Sequence, residues 1–469
     1  MPRTRIVCTI GPASEDAERV RALIHAGMNV ARINFSHGTL EDHARRVEII
    51  RAVAAQENAI IAILGDLSGP KLRVGDLPNN SFILRPGETV KFSLGKDAQP
   101  FTIPLDFPFL GDSLHPGDHI LMDDGTREVR VLSADAHEIV AQVITGGELK
   151  SHKGVNLPNA VLPIPSLTDK DRENAVWAIQ HDLDFLALSF VRRAADVIEL
   201  RQLTREHSAQ IPIISKIEKP EAVQDIDAIL QQSDGVMVAR GDLGVEMPAE
   251  QVPITQKMII HKANSLGIPV ITATQMLESM MENPRPTRAE ASDVANAVLD
   301  GSDAVMLSGE TAVGNHPVEA TEVMARIAEY TERFMQQEHF NRPTLLLKGQ
   351  TVTDAIGEST VALAMDLNAK LIITLTSSGY TARMVSRHRP VVPILAVTIE
   401  ERVRRRLALV WGVQSACVRE HRELEQLVQD ALRIALEKNL GEPGDRVVIT
   451  AGVPTGISGA TNMVQVRTL

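Results

Sequence analysis

The sequence predicts an α/β protein built from a (β/α)8 TIM barrel, an inserted small β-barrel domain and a C-terminal α/β domain. In the first 345 residues, eight short apolar runs alternate with amphipathic segments. This alternation is typical of parallel strands joined by crossover helices, and eight repeats are the number that closes such a barrel. An open doubly wound sheet fits the same alternation and stays open as the alternative.

The predicted barrel strands are rich in β-branched residues, as buried parallel strands are. They are Arg5–Ile10, Val30–Asn34, Ile60–Asp66, Phe185–Phe190, Ile211–Lys216, Gly235–Ala239, Ile268–Ala273 and Asp303–Leu307. The crossover helices predicted between them include Leu40–Gln56, Ala194–Glu206, Pro253–Leu266 and Arg288–Asp300.

Two departures from this alternation divide the chain. Residues 70–166 carry hairpin patterns punctuated by Pro and Gly, such as SFILRPGETVKFSL, which predict an all-β insertion. The insertion follows the end of a barrel strand and is therefore placed to close over a site there. We assign residues 1–69 and 167–345 to the barrel and residues 346–469 to the C-terminal domain.

The C-terminal domain is predicted as a second, smaller α/β unit. Its predicted elements are helix Thr351–Leu367, strand Leu371–Leu375, helix Thr381–Arg387, strand Pro393–Thr398, helix Leu424–Lys438 and strand Arg446–Thr450.

Composition excludes several classes of protein. The 469 residues carry a formal net charge of −12, which argues against a nucleic-acid partner because such proteins present basic surfaces. Two cysteines, Cys8 and Cys417, match no metal or redox spacing and favour a reducing cytoplasm, with Cys8 predicted in the core. No signal-peptide pattern or apolar run of about 18 residues predicts export or a membrane partner.

Polar side chains gather where the predicted barrel strands end. In a barrel the reacting groups come from the carboxyl ends of different strands, so these residues form the candidate site. Lys216 and Glu218 close the fifth strand, and Asp242 follows the sixth. The other candidates at strand ends are Arg32, Asn34, Ser36, His37, Asp66, Lys71, Arg73, Ser189 and Thr274.

Each of these residues has a structural explanation when it is taken alone. A single Arg after a strand is usually an ion-pairing residue, and Glu218 fits a cap of the next helix. Asp242 fits a tight turn in RGDLG, and Ser36 fits an N-cap. Thr287, with Glu290 three residues later, predicts a capping box. We favour a functional site because six strand ends carry such residues together.

The residue types at these strand ends suit phosphoryl or enolate chemistry. Glu218 and Asp242 can share one Mg²⁺ or Mn²⁺, hard cations that prefer oxygen ligands. Lys216 can stabilise charge on a phosphoryl group or an enolate oxygen, and Arg32 and Arg73 offer forked donors to anionic oxygens. The sequence has no GxxxxGK[ST] motif, so a nucleotide would not be held by a P-loop.

Five segments together resemble the pyruvate kinase family. They are MNVARINFSHG, GDLSGPKLRVG, IISKIEKPEA, VMVARGDLGVE and TATQMLESM, in this order. The resemblance covers essentially the whole chain, including the insertion and the C-terminal domain. It implies Mg²⁺-dependent phosphoryl transfer from phosphoenolpyruvate to ADP, giving ATP and pyruvate in glycolysis, by a cytoplasmic homotetramer.

The resemblance also implies roles for individual residues. Lys216 would stabilise the phosphoryl group and the enolate, and Thr274 would lie near the face on which the enolate is protonated. Implied substrate contacts are Arg32, Ser189, Lys216, Gly241, Asp242 and Thr274, and implied ligands of Mg²⁺ are Glu218 and Asp242. Implied nucleotide contacts are Asn34, His37, Arg73, Lys153 and Lys170, and implied K⁺ ligands are Asn34, Ser36, Asp66 and Leu67.

Two features bear on cofactors and regulation. Lys71 stands where potassium-dependent members of the family have Glu, and its ammonium can replace the charge of K⁺, which predicts weak or absent K⁺ activation. The segment TSSGYTARMVSRHRP has hydroxyls and a Gly leading into a helix, as a phosphate cradle does. With the resemblance, it predicts an effector site for a phosphorylated metabolite at Thr376, Ser377, Ser378, Gly379 and Thr381.

Two alternative functions fit parts of the pattern. A pyruvate-enolate lyase, such as a metal-dependent aldolase, also places carboxylates beside an enolate, but it needs neither the insertion nor the C-terminal domain. A catalytically silent metabolite sensor would keep the fold, and the presence of Lys216, Glu218, Asp242 and Thr274 argues against it.

Overall fold

Eight parallel strands form a closed barrel in this computed structural model, which describes residues 2–94, 102–105, 107, 110–158, 160, 164–337, 351–421, 423–454, 459 and 461–469. From the first strand to the eighth they are Arg5–Thr9, Val30–Asn34, Ala62–Asp66, Phe185–Leu188, Ile213–Ile217, Gly235–Ala239, Val270–Ala273 and Ala304–Leu307. Each strand pairs with its neighbours in chain order, and the first pairs with the eighth. The predicted barrel is confirmed, and the open sheet is excluded.

Helices surround the barrel because each strand buries both of its faces. They are Ala17–Ala26, Leu40–Gln56, Asp169–Gln180, Ala194–Glu206, Pro220–Gln224, Ile226–Gln232, Arg240–Glu246, Val252–Leu266, Arg288–Asp300, Gly309–Ala312 and Pro317–Gln337. Cys8 is fully buried in this core, as predicted. None of the helices within the described residues combines the length and the apolarity needed to cross a bilayer.

Two helix starts test the predicted caps. Thr287 accepts a hydrogen bond from the backbone N–H of Glu290 and forms the predicted capping box. Ser36 does not cap the second helix, so the structural explanation open to this residue when it is taken alone is wrong. Thr39 is the N-cap, in a capping box with Asp42, because the turn through Gly38 delays the helix until Leu40.

The insertion was predicted as a small β-barrel. It folds as two sheets, both with antiparallel strand pairs, around one apolar cluster. Strands Ser81–Leu84 and Gly147–Lys150 form the two-stranded sheet. The six-stranded sheet contains Thr89–Leu94, Thr102–Leu105, His119–Met122, Arg127–Ala134, Glu138–Thr145 and Val155–Asn156.

The C-terminal domain is a five-stranded sheet with helices on its faces. In sheet order the strands are Val413–Cys417, Ile394–Thr398, Leu371–Leu375, Arg446–Gly452 and Thr461–Thr468, the last one antiparallel. Its helices are Val352–Asp366, Tyr380–Ser386, Glu401–Arg406 and Leu424–Glu437. Sequence analysis missed the first and last of these strands and the helix Glu401–Arg406. The predicted border at residues 345 and 346 lies outside the described residues.

The C-terminal domain covers the amino-terminal end of the barrel. Ala408 and Leu409 belong to the apolar cluster that fills the barrel interior. Beside them Arg405 donates to Asp182 Oδ2 and Asp184 Oδ1, each at 2.7 Å. Asp184 also accepts the N–H of Ile63, so the same carboxylate ties the domain to a barrel strand.

Candidate active site

A buried ion-pair network joins four neighbouring barrel strands at their carboxyl ends. Lys216 Nζ lies 2.9 Å from Glu218 Oε1 and 3.2 Å from Asp66 Oδ1. The same ammonium donates a hydrogen bond to Ser189 Oγ at 2.6 Å. Asp66 Oδ2 accepts a hydrogen bond from Arg32 Nε at 2.6 Å. The structure thus brings together five of the predicted site residues.

The barrel register explains why these side chains meet. Arg32 lies beside Thr9 in the register of the first two strands, and its Nη1 donates to Thr9 Oγ1 at 2.9 Å. Asp66 ends the third strand and is 1% exposed, while Arg32 and Lys216 are each 9% exposed. Because each long side chain has fixed partners, the two cations are held in place before any substrate binds.

Charge interactions decide which of these groups are ionised. Burial opposes the charge on Lys216, but Asp66 and Glu218 outweigh burial and raise the pKa of the ammonium. Burial also opposes ionisation of Asp66, and the charges of Lys216 and Arg32 outweigh it, so the pKa of Asp66 is lowered. The network therefore carries a permanent ammonium and a permanent carboxylate at neutral pH.

Glu218 and Asp242 form a pair of repelling carboxylates. Burial raises the pKa of Glu218 more than Lys216 lowers it, and the charge of Asp242 raises it further. Glu218 Oε2 accepts the N–H of Phe190 at 2.7 Å, while Asp242 lies half-buried in the first turn of helix Arg240–Glu246. A divalent cation between these two carboxylates would relieve the repulsion, so this donor set fits the predicted Mg²⁺ or Mn²⁺. Across the described residues, no group of three or more His, Cys, Asp and Glu side chains converges to hold a metal ion.

A close contact between two loops fixes the residue that orients Glu218. Phe190 has a φ of 54°, and Gly69 has a φ of 67°. A Cβ atom built on Gly69 would lie 2.5 Å from Phe190 Cδ2, so only glycine fits there without a shift. The N–H of Gly69 also donates to Asp171 Oδ1 at 3.2 Å. The loop after the third strand is therefore packed against Phe190, whose N–H binds Glu218.

Thr274 lies at the end of the seventh strand in a constrained conformation. Its φ is 70°, and its Oγ1 accepts the N–H of Gly241 at 2.7 Å and donates to the carbonyl of Ala273 at 2.6 Å. Arg240 Nη2 donates to the carbonyl of Thr274 at 2.8 Å, and Arg240 Nη1 pairs with Asp293 at 2.6 Å. The backbone beside Asp242 is thus tied directly to the hydroxyl of Thr274.

The residues predicted to bind K⁺ lie at the ends of the second and third strands. Asn34 Oδ1 accepts the N–H of Ser36 at 3.1 Å. Both oxygens of Asp66 face the cations Arg32 and Lys216. Leu67 is buried, and its N–H donates to the carbonyl of Ala187 at 2.9 Å.

Basic side chains surround the predicted nucleotide contact His37. Burial, followed by the charges of Arg73, Lys71, Arg32 and Lys170, lowers the pKa of His37. This rim is therefore positive and keeps the imidazole neutral at physiological pH. It suits the phosphates of a nucleotide.

The inserted domain holds two of the predicted nucleotide contacts, Arg73 and Lys153. Lys153 Nζ lies 2.8 Å from Asp123 Oδ1, and this carboxylate raises the pKa of Lys153. Arg73 Nη1 donates to the carbonyl of His152 at 2.9 Å, a bond within the insertion, so part of the positive rim belongs to the insertion itself.

The predicted effector segment borders a separate cavity in the C-terminal domain. The cavity has a volume of about 150 Å³. Its lining includes Thr376, Ser377, Ser378 and Thr381 together with Glu420, His421 and Glu423. The hydroxyl of Thr376 accepts the N–H of Gly379, whose φ of 81° forms the turn into the next helix.

Comparison with models of known protein families shows which family this chain belongs to. A model of the pyruvate kinase barrel domain matches residues 1–321, and one of the pyruvate kinase alpha/beta domain matches residues 354–467. The chain belongs to the pyruvate kinase family. The resemblance found in the five sequence segments is therefore confirmed over both main parts of the chain.

Individual relatives agree with the family models. A pyruvate kinase of Geobacillus stearothermophilus is 48% identical over 471 residues, covering 100% of this chain and 80% of the relative. One of Bacillus licheniformis is 47% identical, covering 99% of this chain and 80% of the relative. A crystal structure of a pyruvate kinase from Cryptosporidium parvum has a TM-score of 0.92 and 40% identity, covering 100% of this chain and 96% of that one.

Several members of the site network escaped sequence analysis. Thr9 and Arg240 hold Arg32 and Thr274 in place. Phe190 was predicted at the end of the fourth strand, but the bond from its N–H to Glu218 was not. A Thr at a strand end or an Arg after a strand is too common to stand out. For Thr9 a usable signal existed, because the last residue of a strand in a closed barrel faces the same rim as the predicted pyruvate kinase residues.

Proposed function

We propose that the chain is a pyruvate kinase that transfers a phosphoryl group from phosphoenolpyruvate to ADP, giving ATP and pyruvate in the last step of glycolysis. The observation that carries this proposal is the ammonium of Lys216, held within 3.2 Å of Asp66, Ser189 and Glu218. A fixed cation beside a pair of carboxylates is what a reaction needs when charge grows on an oxygen near a metal-bound phosphate.

Lys216 and Arg32 would stabilise the charges that move during transfer. The bond between phosphorus and the enol oxygen breaks, and a bond between phosphorus and a terminal oxygen of ADP forms. Negative charge then grows on the enol oxygen and stays on the phosphoryl oxygens, and Lys216 and Arg32 would stabilise it there. Because both cations are already held by Asp66, they need little reorganisation during the reaction.

Glu218 and Asp242 would hold Mg²⁺ or Mn²⁺. The bound ion would supply Lewis-acid polarisation of phosphate and enolate oxygens. The buried oxygen of Glu218 that accepts the N–H of Phe190 is fixed in direction, so this carboxylate keeps its other oxygen toward Lys216 and the substrate side.

Thr274 would act on the enolate after phosphoryl transfer. The methylene carbon of the enolate takes up a proton to become the methyl group of pyruvate. Thr274 Oγ1 is tied to Gly241 and to its own strand, so it is oriented for the substrate face beside Asp242. We assign Gly241, Asp242 and Ser189 to the substrate contacts on the same grounds.

The nucleotide would bind at the positive rim around His37. We assign Asn34, His37, Arg73, Lys153 and Lys170 to this role, because the phosphates of ADP need cations on the side of the site that faces the insertion. The insertion would then act as a lid.

K⁺ would be weakly required or dispensable. Asn34, Ser36, Asp66 and Leu67 remain as ligands, but Asp66 is already paired with two cations. Lys71 adds an exposed ammonium beside the same rim, as its effect on the pKa of His37 indicates. That positive charge can serve the phosphates as K⁺ would.

Regulation would operate through the C-terminal domain of a cytoplasmic homotetramer. The effector would be a phosphorylated metabolite held by Thr376, Ser377, Ser378, Gly379 and Thr381. Support comes from the cavity that Thr376, Ser377, Ser378 and Thr381 line, and from the covering of the barrel end by Leu409 and Arg405. Gly379 forms the turn beside this cavity and does not line it.

A coupled assay tests the proposal directly. The chain is supplied with phosphoenolpyruvate, Mg²⁺ and ADP, and pyruvate is detected by its reduction with lactate dehydrogenase. We expect pyruvate release that stops when ADP is left out. Release without ADP would indicate a phosphatase that transfers the phosphoryl group to water, and no release under either condition would favour a silent sensor or a lyase that acts on another substrate.

A further inference from the structure

A second cavity lies between the amino-terminal end of the barrel and the C-terminal domain. We call it the interdomain pocket. It has a volume of about 420 Å³. The barrel contributes Arg201, Arg205 and Asp234, and the C-terminal domain contributes Arg383 and Arg406. Four arginines therefore line this pocket with one carboxylate.

Arg383 forms no ion pair with any carboxylate of the described residues. Its Nε is buried without a hydrogen-bond acceptor, and its guanidinium lies over the ring of Tyr380 at 5.7 Å. Burial lowers the pKa of Arg383, and the charge that most opposes this effect is that of Asp234. Asp234 Oδ2, however, is already bound by Arg201 at 2.8 Å and by the N–H of Ile213 at 2.9 Å. A half-buried guanidinium whose Nε has no acceptor gains stability when a ligand supplies an anion.

Two more arginines of the pocket, Arg406 and Arg205, form no ion pair within the described residues. Arg406 donates to two backbone carbonyls, those of Asp184 at 3.3 Å and Gln210 at 2.9 Å, and to no carboxylate within the part of the chain that the structure describes. Arg205 is exposed, and its guanidinium pairs with no carboxylate of the described residues. Three forked donors thus face one volume that holds a single, already paired carboxylate.

We propose that the interdomain pocket binds the dianion of a phosphate monoester. Several guanidinium forks suit the tetrahedral, multiply charged oxygens of a phosphate better than a single carboxylate. The pocket is larger than a phosphate alone, and Val403, Leu407 and Leu409 provide an apolar wall for the organic part.

The interdomain pocket is distinct from the cavity assigned above to an effector. The two share Ser378 and Tyr380, which stand on the turn between them, but Thr376, Ser377 and Thr381 line only the effector cavity. It is also remote from Lys216, because it opens at the opposite end of the barrel strands. Binding there would be additional to the proposed catalysis.

Calorimetric titration with ribose 5-phosphate tests this site, with ribose as the neutral match and inorganic phosphate as the bare anion. We expect Arg383→Met to weaken binding of ribose 5-phosphate at least tenfold, and Arg383→Lys to restore part of it. Ser377→Ala, in the effector cavity, and Arg32→Met, in the candidate active site, should leave this binding unchanged. Arg406→Met serves as a second pocket variant if Arg383→Met unfolds, as judged by circular dichroism.

Three outcomes would overturn the proposal. They are equal affinity in the folded Arg383→Met and Arg406→Met variants, loss of all binding in Ser377→Ala or Arg32→Met, and equal binding of ribose and ribose 5-phosphate. Binding of inorganic phosphate as tight as that of ribose 5-phosphate would support the anion site while rejecting a role for the apolar wall. Because the readout is binding, these results do not depend on whether pyruvate is formed.

Discussion

Lys216 and Asp66 form an ion pair whose Nζ and Oδ1 atoms lie 3.2 Å apart, with 11% and 1% of their side chains exposed. Each charge of such a buried pair stabilises the other, since removal of one leaves the other desolvated and unpaired. Asp66 also binds Arg32, so a single carboxylate fixes both cations that we assign to the phosphoryl group.

Replacing Asp66 tests this role. Asp66→Asn should lower kcat/KM for phosphoenolpyruvate about 10²-fold, because both cations lose their fixed positions. It should also reduce the free energy of unfolding by about 3–5 kcal/mol, measured by urea denaturation. Asp76→Asn is the control, because Asp76 lies in the same loop region but its side chain is 87% exposed. A fully active Asp66→Asn enzyme would contradict the assigned role of Asp66.

The contact between Gly69 and Phe190 gives a prediction with a close control. Gly69→Ala forces a left-handed alanine and also moves Phe190, whose N–H binds Glu218. We expect a lower kcat and a higher Mg²⁺ requirement. Gly87→Ala imposes similar backbone strain at a φ of 85°, but an added Cβ there meets no atom within 4 Å. Each should lose about 1–2 kcal/mol of stability from the backbone alone, and only the change at Gly69 should affect Mg²⁺ dependence.

Arg240 is predicted to position Thr274. Arg240→Met removes the hydrogen bond to the carbonyl of Thr274, so it should slow proton exchange between solvent and the methyl group of pyruvate, followed by NMR. Arg326→Met, on the surface with 66% of its side chain exposed, is the matched control. If Arg240→Met exchanges protons at the normal rate, Thr274 does not depend on this arginine.

A buried histidine predicts acid sensitivity of the barrel. His43 packs edge-on against Phe35, with ring centroids 5.1 Å apart, and burial lowers its pKa to about 4. Its ordinary pKa is about 6.5, so the unfolded chain takes up a proton that the folded chain refuses between pH 6.5 and 4. This single group should therefore remove about 3 kcal/mol of stability as the pH falls through that range.

The measurement for His43 is urea unfolding followed by tryptophan fluorescence at pH 7, 5 and 4, since Trp177 also contacts this ring. His43→Gln should show a shallower loss of stability on acidification. His261→Gln, at an exposed position, should keep the slope of the unsubstituted protein. Equal slopes for all three proteins would exclude His43 as the acid-sensitive group.

Lys71 predicts the response to monovalent cations. Lys71→Glu removes an ammonium from the rim around His37, so the rate should become dependent on K⁺. The measurement compares rates in K⁺ with rates in tetramethylammonium at equal ionic strength. Lys91→Glu, in the insertion and 52% exposed, controls for a general change in charge. Collapse of the unsubstituted enzyme's activity without K⁺ would reject the proposal that Lys71 replaces the ion.

The barrel was predictable because its elements carry strong local signals. Helices Leu40–Gln56 and Ala194–Glu206 have the predicted bounds to the residue. In both, apolar periodicity agrees with a carboxylate in the first turn, Asp42 or Asp196, that accepts the N–H of the residue before the helix. In the C-terminal domain, strands Val413–Cys417 and Thr461–Thr468 were missed because both are edge strands with partly exposed patterns. Helix Glu401–Arg406 was missed because its six residues, ERVRRR, are too few to show an apolar face. Its position is fixed instead by contacts with the barrel, such as the bond from Arg405 to Asp184.

The chemistry of the site was predictable in kind but not in its connections. The sequence placed Lys216, Glu218 and Asp242 at strand ends, where the fold brings them to one rim. It listed Asp66 among the strand-end candidates and gave it a specific role only at a K⁺ site, whereas the structure pairs this residue with Lys216 and Arg32. Such pairing depends on barrel closure and register, which no local pattern reports.

The most direct test of the central claim is the turnover of Lys216→Met. If the ammonium stabilises the charge that grows on the enol oxygen, kcat for pyruvate formation should fall by about 10³-fold or more, with a smaller change in KM for phosphoenolpyruvate. Lys91→Met, expressed and folded in the same way, should keep the normal rate. Unchanged turnover of a folded Lys216→Met protein would contradict the account.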